Sequence, residues 1–211
     1  MNKLKIRPFL GRFLLTSSGT ADIIDAGATI KKLTVTAFSA ETLQGKSPAR
    51  PRWALPNLEP GENFLILQAF SIMPVISQFQ LESAVEQTLS SFEMKSSILS
   101  QPSLEFLLRL SGKRELDDAL DVCGLNEGKQ EICIAIFAGT KEGCIGLYEK
   151  AGEILCFRED ETLIEKNFRK NKNKIMELFE IPLEKFKGRE KEEKLAESFA
   201  IEKAALLSLG D

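Results

Sequence analysis

Residues Leu104–Leu125, LEFLLRLSGKRELDDALDVCGL, contain two amphipathic runs on either side of a Ser-Gly-Lys-Arg turn. In both runs the apolar residues recur three and four positions apart, which is the spacing of one helical face. Pro102 suits the first turn of the first helix, and Gly112 ends that helix. The second helix is predicted over Arg114–Cys123, with Gly124 as its C-terminal cap. This stretch therefore predicts two helices joined by a corner that carries two adjacent cations.

Sequence patterns on both sides of these helices predict a mixture of strands and helices. Strands are expected at Leu4–Leu15, Leu33–Phe38, Phe64–Phe70, Glu131–Ala138 and Glu153–Arg158. Further helices are expected at Gln80–Phe92, Thr140–Ala151, Asp160–Phe179 and Arg189–Leu209. The elements do not alternate strictly, so the predicted fold class is α/β, with a mixed sheet flanked by helices and α+β character.

The length of 211 residues suits one domain with a sizeable core. Between Gln44 and Asn63 the chain has four prolines and two glycines, a composition typical of a long loop. We therefore predict a single domain with a long N-terminal insertion. Its parts are a first strand in residues 1–15, a Pro-rich variable insertion or loop in residues 16–63, and an α/β domain in residues 64–211.

The chain contains no histidine, so it lacks the commonest general base and the commonest metal ligand. The cysteines have no C-x-x-C spacing, which argues against a zinc site, and they are interpreted as small buried hydrophobes. They are Cys123, Cys133, Cys144 and Cys156. Residues Met1–Phe13 lack the apolar core of a secretory signal, and no apolar run has membrane-spanning length. These features predict a cytoplasmic protein without a metal or a cofactor.

No nucleophile with a neighbouring base is evident, so the sequence favours a binding protein over an enzyme. The carboxylate pairs Asp117/Asp118 and Glu192/Glu193 are interpreted as solvated surface, because they lie in polar helical faces. The loop Gly139–Gly146 follows a strand and opens a helix, where a phosphate-binding loop belongs, but its G-x-x-x-G-x-x-G spacing is not a nucleotide fingerprint. Close helix packing is the favoured interpretation of these glycines, and nucleotide binding stays open as an alternative.

The basic corner is the strongest candidate for a binding site. The backbone amides at the start of its second helix point outward unpaired, and the helix dipole is positive there. Arg114 offers paired N–H donors, Lys113 offers a point charge, and Gly112 allows a close backbone approach. These features are typical of an anion site, with a solvated turn as the alternative. Further cations share one helical face by their spacing: Lys166, Arg169 and Lys170. They are interpreted either as a phosphate-binding track or as a solvated face.

The segment around this corner resembles the signature of the Cgi-type small subunits of the KEOPS complex. The family pattern is roughly E-x-L-x-x-x-S-G-x-R-Q-I, followed by a helix that ends in Gly. The matching positions are Glu105, Leu107, Ser111, Gly112, Arg114 and Gly124. Glu115 stands where the family usually has Gln, and Leu116 stands where it has Ile. Glu202–Leu206 resembles the E-x-x-A-L pattern of the family's C-terminal helix, and the likeness extends over residues 64–209 with a first strand near Lys5–Leu14.

The resemblance implies a mixed α/β fold and a non-enzymatic function. Members of the family bind the small kinase/ATPase subunit of the complex and help to recruit tRNA by its 3′ CCA end. Other subunits then form threonylcarbamoyl-adenosine next to the anticodon. Together with the pattern of cations, the resemblance predicts these RNA contacts: Arg109, Ser111, Gly112, Lys113, Arg114, Lys166, Arg169 and Lys170.

The last helix is predicted to dock on the kinase. One apolar stripe of this helix is expected to face the core: Leu195, Phe199, Leu206 and Leu207. Ile201 and Leu209 lie off that stripe, and with Glu202 and Ala205 they are predicted to form the kinase-facing surface. Two alternatives remain open at this stage. One is a nucleotide-binding enzyme that uses the Gly139–Gly146 loop, and the other is a protein-interaction adaptor without RNA contact.

Overall fold

The structure is a computed structural model that describes residues 6–9, 12–25, 28–29, 66–182 and 189–207. The chain divides into two compact units. The first, called the sheet unit below, comprises Met1–Phe70, Ser100–Ser103 and Leu125–Glu161. The second, called the helical unit, comprises Ser71–Leu99, Leu104–Gly124 and Thr162–Asp211. Each unit is assembled from segments that are far apart in the sequence.

The described residues form five strands and six helices. The strands are β1 (Ile6–Phe9), β2 (Arg12–Ile23), β3 (Ile66–Ser71), β4 (Gly128–Ala138) and β5 (Arg158–Glu159). The helices are α1 (Gln78–Glu93), α2 (Pro102–Ser111), α3 (Leu116–Cys123), α4 (Lys141–Leu155), α5 (Leu163–Leu178) and α6 (Arg189–Leu206). The predicted α/β fold class is confirmed. None of the described helices combines the length and the apolar character needed to cross a membrane.

The strands form one sheet with the order β1-β2-β4-β3, and β5 pairs with β2. The pairings of β2 with β1, β4 and β5 are antiparallel. The β2–β4 ladder is long, running from Phe13 opposite Ala138 to Ile23 opposite Gly128. The strand predicted at Glu131–Ala138 is therefore confirmed as the apolar part of β4.

Apolar side chains of β2, β4 and α4 form the core of the sheet unit. All residues of β4 from Ile132 to Ala138 are buried, and α4 contributes Cys144, Leu147, Ala151 and Leu155. Removing these side chains from water is the main favourable contribution to the stability of such a unit. A Cβ atom on Gly19 would collide with the carbonyl oxygen of Arg158, so a glycine at this position allows β5 to pair with β2.

The N-terminal strand differs from the prediction. Two strands, β1 and β2, replace the single strand expected at Leu4–Leu15, and β2 continues to Ile23, past the boundary predicted at residue 15. The small polar residues of β2 are buried because their hydroxyl groups find partners; Ser17 Oγ donates to Glu159 Oε1 at 2.9 Å. The strand and the Pro-rich loop predicted between residues 33 and 63 lie outside the described residues.

The strand predicted at Glu153–Arg158 is wrong. Helix α4 continues to Leu155, and Cys156 ends it in the left-handed conformation with φ 47°. An apolar run of this length fits a helix and a strand equally well by periodicity, so the sequence did not decide between them. Asp160, the first residue of the predicted helix Asp160–Phe179, instead donates its backbone N–H to a carbonyl of β2 at 2.8 Å, and Thr162 is the N-cap of α5.

The helical unit contains α1, α2, α3, α5 and α6. The helices predicted at Gln80–Phe92, after Pro102 and at Arg114–Cys123 are confirmed with ends shifted by a few residues. Ser77 caps α1, since its hydroxyl accepts the N–H of Gln80 at 3.1 Å. One core cluster of this unit consists of Ile76, Phe168, Ile175, Met176, Phe179, Ile181, Ala196 and Ala200.

The inner face of α6 differs from the predicted stripe. Within residues 192–206 of this helix, the fully buried residues are small and four positions apart: Ala196, Ala200 and Ala204. Leu206 is 55% exposed, while Leu195 and Phe199 are half-buried beside the alanines. Small side chains allow α6 to approach α1 closely, and Gln87 Nε2 of α1 donates to the carbonyl of Ile201 at 3.2 Å. Close helix packing has therefore selected the alanine face over the leucine face.

Candidate functional site

The predicted anion-binding corner lies between α2 and α3. Helix α2 ends at Ser111, Gly112 adopts φ 64°, and α3 begins at Leu116. The buried hydroxyl of Ser111 donates to the carbonyl of Leu107 at 2.8 Å and accepts the N–H of Lys113 at 3.3 Å. Ser111 therefore holds the turn from inside, and its hydroxyl is occupied within the protein.

Arg109, predicted as an RNA contact, is only 1% exposed. Its guanidinium donates to Glu105 Oε1 through Nε at 3.0 Å and through Nη2 at 2.6 Å. Its Nη1 donates to the carbonyl of Ala204 at 3.0 Å. A buried charge is tolerated when it is paired and hydrogen-bonded in this way. Arg109 thus ties α2 to α6 inside the helical unit, and its burial leaves it no surface on which to contact RNA.

Glu105 is the centre of this buried network. Its Oε2 accepts the backbone N–H groups of Ile98 at 3.0 Å and Leu99 at 2.9 Å, and its Oε1 lies 3.4 Å from Ser91 Oγ. In the sequence, Glu105 stands out only as a match to the family pattern. Its spacing of four residues from Arg109 within an otherwise apolar helix is the signal that points to an internal ion pair.

Lys113 and Arg114 lie at the surface of the corner, where Lys113 is half-buried and Arg114 is exposed. Glu115, the N-cap of α3, makes no side-chain hydrogen bond to the first turn, and that turn contains the exposed acids Asp117 and Asp118. Negative side chains at a helix start interact favourably with the positive end of the helix dipole, and they repel any further anion that approaches. The two cations are therefore a stronger attraction for a phosphate than the start of α3.

The second basic stripe lies on α5. Its members are all exposed: Lys166, Arg169 and Lys170. Asn167, next to them in sequence, is buried and donates its side-chain amide to the carbonyls of Ile72 at 2.8 Å and Val75 at 2.5 Å. The helix is kinked at Asn171, with φ −114° and ψ 18°. The stripe faces solvent as its spacing predicted, and this placement fits both interpretations, a phosphate track and a solvated face.

Gly112 lies against α6 as well as within the corner. A Cβ atom at this position would be 3.2 Å from Cγ and 3.3 Å from Cδ of Lys203. The positive φ and this close neighbour together favour glycine. The corner is thus packed against the aliphatic stem of Lys203, on the helix that carries the predicted kinase-facing surface.

That surface lies opposite the buried alanine stripe of α6. Glu202 and Ala205 are exposed, Ile201 is half-buried, and Leu209 lies outside the described residues. Leu206, which was expected in the core, extends the exposed part of this helix. Glu202 and Ala205 therefore point away from the core of the helical unit, whereas Ile201 is partly covered.

The start of α4, within the Gly139–Gly146 loop, is a poor site for a phosphate. Thr140 caps the helix, with its side-chain oxygen accepting the N–H of Gly143 at 3.0 Å, and Glu142 lies in the first turn. The cap takes up a backbone N–H group that an anion would need, and the carboxylate repels an anion. The favoured interpretation of close packing is wrong for Gly146, because a Cβ atom there would meet no atom within 4 Å.

The cysteines show no arrangement for metal binding. Among the described residues, no group of three or more His, Cys, Asp or Glu side chains is placed to hold a metal ion. Burial raises the pKa of the Cys123 and Cys133 thiols above the usual range and raises that of Cys144 to about 11. Cys156 is exposed, so the interpretation as a buried hydrophobe is wrong for this residue.

The family described as kinase binding protein CGI-121 matches residues 63–208, which is more than half of the chain. The matched range includes the corner between α2 and α3 and all the described residues of α6. No individual curated protein matches the chain. The resemblance to the Cgi-type subunits, predicted from the pattern around Ser111 and Gly112, is confirmed. The chain belongs to the CGI-121 family of kinase binding proteins.

Proposed function

We propose that this chain is the non-catalytic Cgi-type subunit of a KEOPS complex. In this role it binds the kinase/ATPase subunit and helps to recruit tRNA by its 3′ CCA end, while other subunits modify the adenosine next to the anticodon. The description of its family as kinase binding proteins supports the protein partner. The observation that carries the RNA part is the pair of surface cations, Lys113 and Arg114, on a turn that is fixed from inside.

The fixed turn favours recognition because little conformational freedom is lost on binding. Ser111 holds the turn from within, and Gly112 packs on Lys203. Arg114 then presents a planar guanidinium, which matches two phosphate oxygens, and Lys113 presents a point charge. Phosphate contacts of this kind supply a large share of the affinity for nucleic acid and make it dependent on salt.

Binding of a tRNA transcript to the full chain, measured by fluorescence anisotropy at several salt concentrations, tests the RNA part. Arg114→Ala should weaken binding by about 1–3 kcal/mol with a nearly normal melting temperature. Lys113→Ala should cost less and reduce the salt slope by about one unit. Lys150→Ala, an exposed lysine of the sheet unit, is the matched control and should bind as the wild type does.

A tRNA without its CCA end provides the second comparison. Wild type and the Lys113→Ala, Arg114→Ala double variant should bind this truncated tRNA with similar affinity. Equal binding of intact tRNA by the wild type and a folded double variant would remove the corner from the RNA site. Kinase binding without any tRNA binding would favour the alternative of a protein-interaction adaptor.

The outward face of α6 is the proposed docking surface for the kinase. Ala205→Glu and Leu206→Glu each place a charge on this exposed face and should weaken the complex, since a docking surface excludes unpaired charge. Ser100→Glu, at an exposed residue of the sheet unit, is the control. Calorimetry with the purified kinase subunit measures the difference. Wild-type affinity in both variants would place the docking surface elsewhere.

A further inference from the structure

An ion pair lies beside the cationic corner. Lys203 Nζ is 2.9 Å from Glu180 Oε1. The two partners differ in freedom, because the Glu180 side chain is 75% exposed whereas that of Lys203 is 25% exposed, with its nitrogen shielded from solvent. The stem of Lys203 is also held against Gly112. The ammonium is therefore fixed in place, while the carboxylate can rotate into water.

Glu180 stands at an unfavourable place for an acid. It follows the C-terminus of α5, where the helix dipole disfavours negative charge, and it adopts φ 56°, a conformation that costs energy for a residue with a Cβ atom. Its bond to Lys203 and the charge of that lysine lower the pKa of the Glu180 carboxyl, and Lys113 contributes a smaller lowering. The carboxylate thus occupies a position where two lysines together favour an anion.

We propose that Glu180 is a built-in competitor for RNA phosphate at this corner, and that Lys203 is a further cation of the same site. In the free protein the Glu180 carboxylate neutralises Lys203, and a phosphate of the bound RNA takes its place. The inference rests on the proposed function, because it names the regulation of the same RNA site.

Two features of the pair support an exchange of this kind. An ammonium group has three N–H donors, and the contact with Glu180 is its one polar contact within the part of the chain that the structure describes. A surface ion pair is weak, so its loss is readily offset by a phosphate contact. The resident carboxylate also makes the site less attractive to arbitrary polyanions, which increases selectivity.

The test measures tRNA binding by full-length variants. Glu180→Gln should bind intact tRNA about two- to fivefold more tightly, the scale of one surface ion pair. Glu177→Gln removes the same charge one turn earlier on α5 and should change the affinity less. Lys203→Met keeps an apolar stem over Gly112, and it should weaken binding and lower the salt slope by about one unit. In the Lys203→Met background, Glu180→Gln should lose its effect.

Equal gains from Glu180→Gln and Glu177→Gln would show a general charge effect and overturn the proposal. Unchanged tRNA affinity in a folded Lys203→Met protein would also overturn it, and Lys203→Gln serves as the second variant if Lys203→Met fails to fold. If Lys113→Ala and Arg114→Ala weaken binding but Glu180→Gln has no effect, this inference fails while the proposed function stands. If none of these variants changes tRNA binding, both fail.

Discussion

Replacing Glu105 by glutamine should strongly destabilise the helical unit. The side chains of Glu105 and Arg109 are both fully buried and lie 2.6 Å apart. Glutamine keeps the shape of glutamate but turns one acceptor oxygen into a donor. Arg109 loses its charged partner in either orientation of the amide. The new NH2 group also faces either Arg109 or the N–H groups of Ile98 and Leu99, which then lack an acceptor. Breaking a buried ion pair costs about 3–5 kcal/mol. For a chain of this length, that corresponds to a fall of roughly 6–20 °C in melting temperature.

Urea unfolding followed by circular dichroism measures this loss. The control is Glu86→Gln, an exposed acid of α1, which should stay within about 0.5 kcal/mol of the wild type. The double variant Glu105→Leu, Arg109→Met replaces both charges by apolar groups and should recover part of the stability, because no buried charge is left unpaired. A loss below about 1 kcal/mol in Glu105→Gln would refute the buried network as the anchor of α2.

Two further predictions concern the glycines and the thiols. Gly112→Ala should lower stability by about 1–2 kcal/mol because of its positive φ and the neighbouring Lys203 stem, whereas Gly146→Ala, in open space within α4, should raise stability by about 0.5–1 kcal/mol in the same urea assay. In a colorimetric thiol assay of the native protein, Cys156 should react quickly because it is exposed. The other three thiols should react slowly because they are buried and burial raises their pKa, and all four should react in denaturant.

The sequence predicts an element correctly where its pattern fits only one kind of secondary structure. The run Glu131–Ala138 is almost entirely apolar and rich in isoleucine, which suits a buried strand, and Pro102 marks the first residue of α2. The end of α4 was missed because Glu153–Arg158 fits a helix and a strand equally well. The sheet favours the helix at this place, because Leu155 at the end of α4 packs into the core beside β2 and β4.

The face of α6 could not be predicted because it depends on another helix. Large apolar residues are the usual choice for a core, which favoured the stripe that contains Leu206. In the structure α6 approaches α1 closely, and small residues at Ala196, Ala200 and Ala204 make that approach possible. The choice between the two stripes is made by the partner helix, which lies about a hundred positions earlier in the sequence.

Local chemistry was enough to place Lys113 and Arg114 at the surface, because both follow a helix end directly. It was not enough to place Arg109. Its charge suggested a phosphate contact, but its partners inside the protein could not be recognised from the local sequence. One of those partners, the carbonyl of Ala204, is 95 residues away in sequence. The pairing of Lys203 with Glu180 is tertiary in the same way, so no spacing in the sequence reveals it.

These contacts give the family pattern E-x-L-x-x-x-S-G-x-R a physical meaning in this chain. Its Glu105 neutralises Arg109 inside, its Ser111 closes the turn, and its Gly112 makes room for the stem of Lys203. These three residues are buried, and they build the corner. Arg114, the last residue of the pattern, is exposed. Replacing a buried residue of the pattern should therefore lower stability first and RNA affinity as a consequence, whereas replacing Arg114 should lower RNA affinity with a nearly normal melting temperature.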